Sequence, residues 1–238
     1  MHDERSGGPE PGDARARRAS GGAAEPEDAA GPVAVFAGGG TGGHLYPALV
    51  LADVLRDVRP DVRVVFVGAE RGLEARVLPD RGEEHLLLPV EGFPRGGSPL
   101  RRLRVLGALA GAVARVLRFF RDLEPEVVVV TGGYAGGPAG IGAVLLRIPL
   151  LLQEQNSVPG LVTRALSLFA RRVDLAFPEA RTRLPLWARR RARVTGNPVR
   201  PPRELSRAEA RAALRLPGEG RVVLVVGGSQ GSAALNEL

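Results

Sequence analysis

The 238-residue chain contains no cysteine and no lysine, and each absence limits what the protein can be. Without cysteine it has no disulfide framework and no thiol chemistry. All 33 basic residues are arginine, which together with heavy use of alanine, glycine and proline is typical of a GC-rich genome. Aromatic residues make up only 4% of the chain, which argues against stacking platforms for single-stranded nucleic acid.

The first 30 residues also lack hydrophobic periodicity. They contain seven acidic residues and four arginines, a net charge of −3, and no apolar core of a signal peptide. Residues 1–31 are therefore predicted to be a disordered tail. The whole chain carries a net charge of +7, so the remainder carries +10. A body this basic indicates an acidic partner, which could be a nucleotide, a phospholipid or a nucleic acid.

From Pro32 onward, predicted strands and helices alternate. Several strands are near-continuous runs of valine and leucine, as expected for parallel strands that are covered on both faces. The predicted strands are Val33–Ala37, Val62–Val67, His85–Val90, Glu126–Thr131, Leu150–Gln153, Val173–Phe177 and Arg193–Thr195. The predicted helices are Leu45–Val58, Gly72–Leu78, Pro99–Leu123, Gly137–Leu146 and Gly160–Ala170. This alternation predicts a doubly wound α/β domain over residues 32–197.

A glycine-rich stretch, Gly38–His44, lies between the first predicted strand and the first predicted helix. Strand, glycine loop and helix is the arrangement in which backbone N–H groups and a helix N-terminus face an anion. The stretch matches neither the dinucleotide spacing GxGxxG nor a P-loop. It offers instead an imidazole, His44, beside a hydroxyl, Thr41. The alternative is a tight turn that binds no ligand. The histidine within the loop favours a catalytic or ligand-binding role over that alternative.

Two further polar motifs, Thr131–Tyr134 and Gln153–Asn156, also follow predicted strands. Ligands of doubly wound sheets bind at the carboxyl ends of the strands, so the three stretches are expected to gather along one rim. Glu154 and Asn156 have the alternative of capping the helix that follows.

A second strand, glycine loop and helix follow a proline-rich connector at residues 197–202. A short helix over Ser206–Leu214 precedes a buried-strand run, Arg221–Val226, and a second glycine loop, Gly227–Ser232. One βα unit cannot bury its own apolar faces. Residues 198–238 are therefore predicted to be a connector and the start of a second, incomplete domain.

A basic region lies within Arg95–Arg121, where six arginines bracket the ten-residue apolar stretch Val105–Ala114. Ten residues are too few to span a bilayer, which needs about 20. A basic amphipathic helix lying on an anionic membrane surface is one interpretation. A helix packed on the sheet with its arginines in water is the other. The bracketing arginines are Arg101, Arg102, Arg104, Arg115, Arg118 and Arg121.

Five glycine-rich or polar motifs occur in order at predicted strand ends. They are Gly39–His44 followed by Pro47, Gly132–Tyr134 with Gly137 and Pro138, Glu154–Asn156, Gly196–Arg200 and Gly227–Gly231. Together they resemble the MurG family of peptidoglycan N-acetylglucosaminyltransferases, and the resemblance covers about residues 32–238. It implies an α/β fold of the GT-B type, with two Rossmann-like doubly wound domains. Of the second domain, the sequence is expected to include only the first βα unit.

The resemblance also implies an activity. That family moves GlcNAc from UDP-GlcNAc to the C4 hydroxyl of the MurNAc unit of lipid I, with inversion at the anomeric centre, in peptidoglycan synthesis. The implied partners are UDP-GlcNAc, lipid I and the anionic inner surface of the cell membrane, on its cytoplasmic side, with no nucleic acid. No metal and no cofactor are implied, and the sequence contains no Asp-x-Asp motif.

Individual site residues follow from the motifs that match. The resemblance implies an acceptor site in the first domain and a donor site mainly in the second. The catalytic candidates are His44, Tyr134 and Glu154, with His44 as the base because an imidazole accepts a proton near neutral pH. The donor-binding candidates are Thr41, Gly42, Gly43, Asn156, Arg200 and Ser229.

Several alternatives stay open. Arg200 could be a solvated charge of the connector, and Asn156 and Ser229 could be helix caps. Position 153 is glutamine where many relatives carry histidine, which puts the acceptor contacts there in doubt. At the level of function, the rivals are a non-catalytic basic module that docks on a membrane or nucleic acid, a GT-B enzyme with another acceptor, and a UDP-GlcNAc epimerase.

Overall fold

The computed structural model describes residues 31–92, 99–200, 202, 204–225 and 237, with the backbone alone at residues 99–103. The predicted tail, apart from Gly31, lies outside the described residues. So does the second glycine loop with Ser229.

Seven parallel strands form one sheet, and all seven were predicted to within two residues at each end. The sheet order is β3-β2-β1-β4-β5-β6-β7, and every neighbouring pair is parallel. The strands are β1 Val33–Gly38, β2 Arg63–Ala69, β3 His85–Leu88, β4 Val127–Gly132, β5 Leu150–Glu154, β6 Arg172–Leu175 and β7 Ala192–Val194. The predicted doubly wound α/β fold is therefore confirmed for this domain.

Eight helices connect or follow the strands in the described part of the chain. They are α1 Gly42–Val58, α2 Glu74–Asp80, α3 Pro99–Leu123, α4 Gly133–Leu145, α5 Leu161–Leu166, α6 Glu179–Thr182, α7 Leu186–Arg189 and α8 Arg207–Ala213. The bounds of α3 were predicted correctly. Helices α1 and α4 begin three and four residues earlier than predicted, within glycine pairs that the sequence had favoured as loop. The four-residue helices α6 and α7 were not predicted.

The position of the site follows from the strand order. Strands β1 and β4 are neighbours in the sheet, although β2 and β3 separate them in sequence. The chain therefore runs outward from β1 in one direction and from β4 in the other. The crevice at the carboxyl ends of two such strands is the ligand site that this topology favours. It lies between the glycine stretch after β1 and the Gly132–Gly133 turn after β4.

Both faces of the sheet are buried. One face packs against α1 and α2 through side chains such as Phe36, Leu49 and Phe66. The other packs against α3, α4 and α5 through side chains such as Val116, Phe120 and Leu152. Continuous apolar runs in β1, β2 and β4 are the consequence of this double coverage.

Glycines allow α4 to lie close to its neighbours. A Cβ on Gly136, Gly140 or Gly142 would collide with Val130, Leu166 or Val116. At the start of the helix, Gly132 and Gly133 both have positive φ, of 99° and 72°, which disfavours any side chain. A Cβ on Gly133 would also strike the carbonyl oxygen of Gly39. The turns after β1 and β4 thus meet backbone to backbone.

Helix α3 buries one face and exposes the other. Ala112, Val116 and Phe120, four residues apart, pack in the core. Arg104, Arg115, Arg118 and Arg121 are exposed, and Arg115 lies 3.6 Å from a carboxylate oxygen of Glu70. Of the helices that the structure describes, none combines the length and the apolar character that crossing a membrane requires.

The structure describes only the first residues of the second strand–loop–helix unit. Ser206 caps α8 through a capping box with Glu209, as the predicted helix required. The predicted strand at Arg221–Val226 is wrong over its described residues, because residues 221–225 are not in a strand. Val223 and Leu224 are 86% and 81% exposed. In the described ranges no strand pairs with this segment.

Candidate functional site

The glycine stretch forms a sharp turn into α1. Gly40 has φ 89°, and Thr41 is extended at the N-cap position. The Thr41 side chain makes no capping hydrogen bond, although the amides of His44 and Leu45 donate to its carbonyl oxygen. The amides of Gly42 and Gly43 lie in the first turn of α1, where no intrahelical acceptor exists. These two amides are the groups of the turn that are left to face an anion.

A buried carboxylate braces this turn from behind. Glu74, in the first turn of α2, is fully buried. Its oxygens accept from the amide of Gly40 at 2.9 and 3.0 Å, and Oε1 also accepts from the amide of Ala69 at 2.9 Å. A Cβ on Gly39 or Gly72 would collide with this carboxylate. The amide of Gly40, which the sequence had suggested could face an anion, is therefore bound to the protein itself.

Sequence reasoning missed Glu74. The predicted helix Gly72–Leu78 included it but gave it no role. The available signal was an acidic residue just after the carboxyl end of β2, in the first turn of a helix, where a carboxylate is favoured. That signal did not indicate that the partner was an amide 34 residues away.

The ring of His44 joins three strand ends. Its Nδ1 lies 3.0 Å from the carbonyl oxygen of Thr131, at the end of β4, and 3.0 Å from Oε1 of Gln155, just after β5. The buried hydroxyl of Thr131 donates to the carbonyl oxygen of His44 at 2.8 Å. The ring also contacts Gly132 and Gly133, where a Cβ would come within about 3 Å of it. Gln155 is the second residue that sequence reasoning missed, although it lies inside a quoted motif.

Tyr134 lies between the glycine turn and an apolar cavity. Its ring packs so closely on Gly40 that a Cβ there would collide with it. Burial raises the pKa of Tyr134, and the carboxylates of Glu74 and Glu91 raise it further, so the hydroxyl stays protonated at neutral pH. The cavity has a volume of about 520 Å³. Its lining includes Val105 and Leu109 of α3, Ile141 of α4 and Val162 of α5.

Glu154 is buried and its carboxylate is occupied. Oε1 accepts from the backbone amide of Asn156 at 3.0 Å and from its side-chain amide at 2.8 Å. Oε2 accepts from the amide of Gly160, the N-cap residue of α5, at 3.0 Å. The alternative in which Asn156 caps the next helix is wrong, because Gly160 holds that position. Glu154 thus shapes the loop that carries Gln155 and Asn156.

The family model for the glycosyltransferase family 28 N-terminal domain matches residues 34–174. The chain belongs to this family. The match begins in β1 and ends in β6, so it contains the glycine turn, the Gly132–Gly133 turn and the loop after β5. The site just described is therefore part of the family 28 domain.

Curated proteins give a finer comparison within family 28. A UDP-N-acetylglucosamine--N-acetylmuramyl-(pentapeptide) pyrophosphoryl-undecaprenol N-acetylglucosamine transferase of Thermus thermophilus is 46% identical over 203 residues. The protein of the same description from Salinibacter ruber is 43% identical over 206 residues. These matches cover 85% and 86% of this chain but 57% and 55% of the relatives. The chain spans about half the length of the curated relatives it matches.

Solved structures agree with this placement in family 28. The crystal structure of Acinetobacter baumannii MurG superposes with a TM-score of 0.56 at 29% identity, covering 73% of this chain and 46% of that one. A UDP-GlcNAc 2-epimerase from Methanocaldococcus jannaschii has a TM-score of 0.50 at 11% identity, covering 69% and 45%, and shows the fold alone. The expected resemblance to the MurG family and the GT-B type of α/β fold are confirmed.

Two predicted donor-binding residues, Arg200 and Ser229, come from the connector and from the second glycine loop. Arg200 is exposed in the connector. The connector approaches the site through Asn197, whose side-chain amide lies 3.5 Å from the carbonyl oxygen of Gln155. Ser229 lies outside the described residues. The roles of both, the division into domains at residue 197, and a chemistry without metal or cofactor stay predictions.

Substitution of Glu74 tests whether the turn depends on its carboxylate. Glu74→Ala leaves two amides without acceptors in the family 28 core, and we expect the free energy of unfolding to fall by about 3 kcal/mol. Urea denaturation of the chain, followed by circular dichroism, measures this. Glu84→Ala is the matched control, since Glu84 forms an exposed ion pair with Arg63, and its loss should cost less than about 1 kcal/mol. Equal losses for the two variants would show that Glu74 does not brace the turn.

Proposed function

We propose that this domain works in an inverting glycosyltransferase that moves GlcNAc from UDP-GlcNAc to the C4 hydroxyl of the MurNAc unit of lipid I. The relatives from Salinibacter ruber and Thermus thermophilus are transferases named for this donor and this acceptor. One observation supports it most directly: the imidazole of His44 stands at the crevice between β1 and β4, enclosed by two glycine turns. A titratable base and free helix amides then lie side by side.

The reaction needs a general base and a group that stabilises the leaving diphosphate. A base takes the proton from the acceptor hydroxyl while that oxygen attacks the anomeric carbon of GlcNAc. The bond from that carbon to the diphosphate breaks, and UDP leaves with the electron pair. His44 supplies the base. The amides of Gly42 and Gly43 and the positive end of α1 stabilise negative charge on a diphosphate.

The acceptor side of the proposal rests on Tyr134 and the cavity beside it. A protonated phenol donates a hydrogen bond to a sugar or phosphate oxygen. The adjoining cavity is lined mainly by apolar side chains of α3, α4 and α5, which suits an apolar part of a lipid-linked acceptor. Arg104 and Glu91 also line it and supply charge beside the apolar surface.

The donor side of the proposal rests on Thr41, Gly42, Gly43 and Asn156, with Arg200 and Ser229 contributing from the second domain. Asn156 is exposed, and Glu154 fixes its backbone and side-chain amides. For Glu154 itself we propose a positioning role in place of direct contact with a substrate, because three N–H groups already occupy its oxygens.

Removal of the base tests this proposal. In a transferase of full family length that carries this domain, we expect His44→Ala to lower turnover of lipid I by about 10²–10⁴-fold, the usual contribution of a general base. The affinity for UDP-GlcNAc should change much less, because the ring acts on the acceptor. Steady-state kinetics with both substrates varied separate the two effects.

His85→Ala is the matched control for that experiment. His85 begins β3, and its Nδ1 lies 2.6 Å from the carbonyl oxygen of Glu83, away from the glycine turn. Its substitution should leave turnover within about twofold, since it touches no reacting group. Unchanged turnover in His44→Ala would remove His44 from the role of base.

We also propose that α3 contacts an anionic membrane surface, because its exposed arginines lie on the face that the core leaves open. Reversal of two charges, Arg118→Glu with Arg121→Glu, should weaken sedimentation with vesicles that contain anionic lipid, and added salt should weaken binding of the unmodified chain. The matched control, Arg193→Glu with Arg207→Glu, makes the same change in net charge away from α3. Equal binding to neutral and anionic vesicles would contradict the electrostatic contact.

A further inference from the structure

Gln155 is the side-chain partner of the His44 ring. Its amide nitrogen lies 2.8 Å from the carbonyl oxygen of Thr131 and 3.2 Å from the carbonyl oxygen of Gln153, and it also donates to Oε1 of Gln153. All three of these groups are acceptors. Two of them are main-chain carbonyls, which cannot turn over to present a donor as a side-chain amide can. The NH₂ end of Gln155 must therefore face them, and its Oε1 must face His44.

This orientation determines the tautomer of the ring. Nδ1 of His44 is 3.0 Å from Oε1 of Gln155 and 3.0 Å from the carbonyl oxygen of Thr131. Neither oxygen can donate, so Nδ1 carries the hydrogen. In a neutral imidazole only one nitrogen is protonated, so the lone pair is on Nε2. Among the described residues none hydrogen-bonds to Nε2, which leaves that atom available to accept a proton.

Gln153 has an unpaired group that is consistent with this arrangement. Its side chain is 4% exposed, and its Nε2 is the one buried side-chain polar atom without a partner in the described part of the chain. Turning the Gln153 amide over would place two NH₂ groups against each other. Because Oε1 of Gln153 has to accept from Gln155, Nε2 of Gln153 is left without a partner.

We propose that Gln155 is a positioning residue that, together with the carbonyl group of Thr131, holds His44 as the Nδ1–H tautomer, with Nε2 as the basic atom. The claim about the tautomer concerns the chain alone, and the claim about catalysis rests on the proposed function. A neutral amide suits this task, because it accepts the Nδ1 hydrogen without the negative charge that would favour the imidazolium ion.

The tautomer can be measured without activity. The chain has three histidines, so ¹⁵N-histidine labelling gives three ring systems, which are assigned by substituting His2 and His85 in turn. At a pH where free imidazole is neutral, ¹⁵N shifts and couplings should show His44 protonated at Nδ1. Gln155→Leu removes one of the two oxygens that accept the Nδ1 hydrogen, and it should lower the share of the Nδ1–H form without abolishing it, because the carbonyl oxygen of Thr131 remains. Gln155→Glu keeps an oxygen for Nδ1, and with the orphaned amide of Gln153 turned over to donate to the carboxylate it should retain the Nδ1–H form.

His85 is the internal control in every sample, because its Nδ1 faces the carbonyl oxygen of Glu83 and has no contact with Gln155. Its signals should stay the same in both variants. Protonation of His44 at Nε2 in the unmodified chain would overturn the proposal. So would an unchanged share of the Nδ1–H form in Gln155→Leu. If that variant does not fold, the unmodified chain and Gln155→Glu still decide the result.

Kinetics of the full-length transferase test the catalytic consequence. Gln155→Leu should lower kcat on the order of tenfold to a hundredfold, as expected for a base that loses its orientation, with little change in the KM for UDP-GlcNAc. Gln155→Glu should move the acidic limb of the pH–rate profile upward by about one unit, because a carboxylate stabilises the protonated ring. An unshifted profile in Gln155→Glu would contradict the positioning role.

The two levels of the claim fail separately. If the ring spectra are as expected but His44→Ala keeps full turnover, Gln155 still sets the tautomer and the proposed base is wrong. If His44→Ala abolishes turnover but the spectra show protonation at Nε2, His44 is supported as the base and the proposed role of Gln155 is wrong.

Discussion

The hydrogen bonds between the buried carboxylate of Glu74 and the amides of Gly40 and Ala69 are the constraint on which the site depends. They hold the turn after β1 against the end of β2. Gly39 and Gly72 have to be glycine because the carboxylate fills the space of a side chain. The shape of the turn is thus set by a contact behind it, and the anion-binding capacity moves to the first amides of α1. A turn fixed in this way is ready before any ligand arrives.

The parallel sheet supplies the rest of the arrangement. The turn after β1 carries His44, the end of β4 supplies the carbonyl of Thr131, and the segment after β5 supplies Gln155. These three groups are far apart in sequence, and the order β1-β4-β5 makes them neighbours. Glu154 and the glycines of α4 then keep the surrounding loops close. A polar cluster of this kind positions its members through main-chain carbonyls, which side-chain rearrangement cannot easily alter.

Local patterns predicted the fold better than the site. Apolar runs located all seven strands, and the family motifs predicted which strand ends carry the candidate site. The starts of α1 and α4 were misplaced because glycine disfavours helix, yet α1 begins at Gly42 and α4 at Gly133, whose φ is positive. The roles of Glu74 and Gln155 could not be predicted, because their partners are 34 and 111 residues distant. Helices of four residues, such as α6, are too short for a periodic signal.

The geometry at the strand ends supports the proposal that a ligand binds in the crevice between β1 and β4, within the family 28 domain. The most direct test is a titration of the ¹⁵N-labelled chain with UDP-GlcNAc. The account predicts that the largest amide shifts fall on Gly42, Gly43 and Asn156. Shifts confined to the opposite, amino-end rim of the sheet, with Gly42 and Gly43 unmoved, would contradict it.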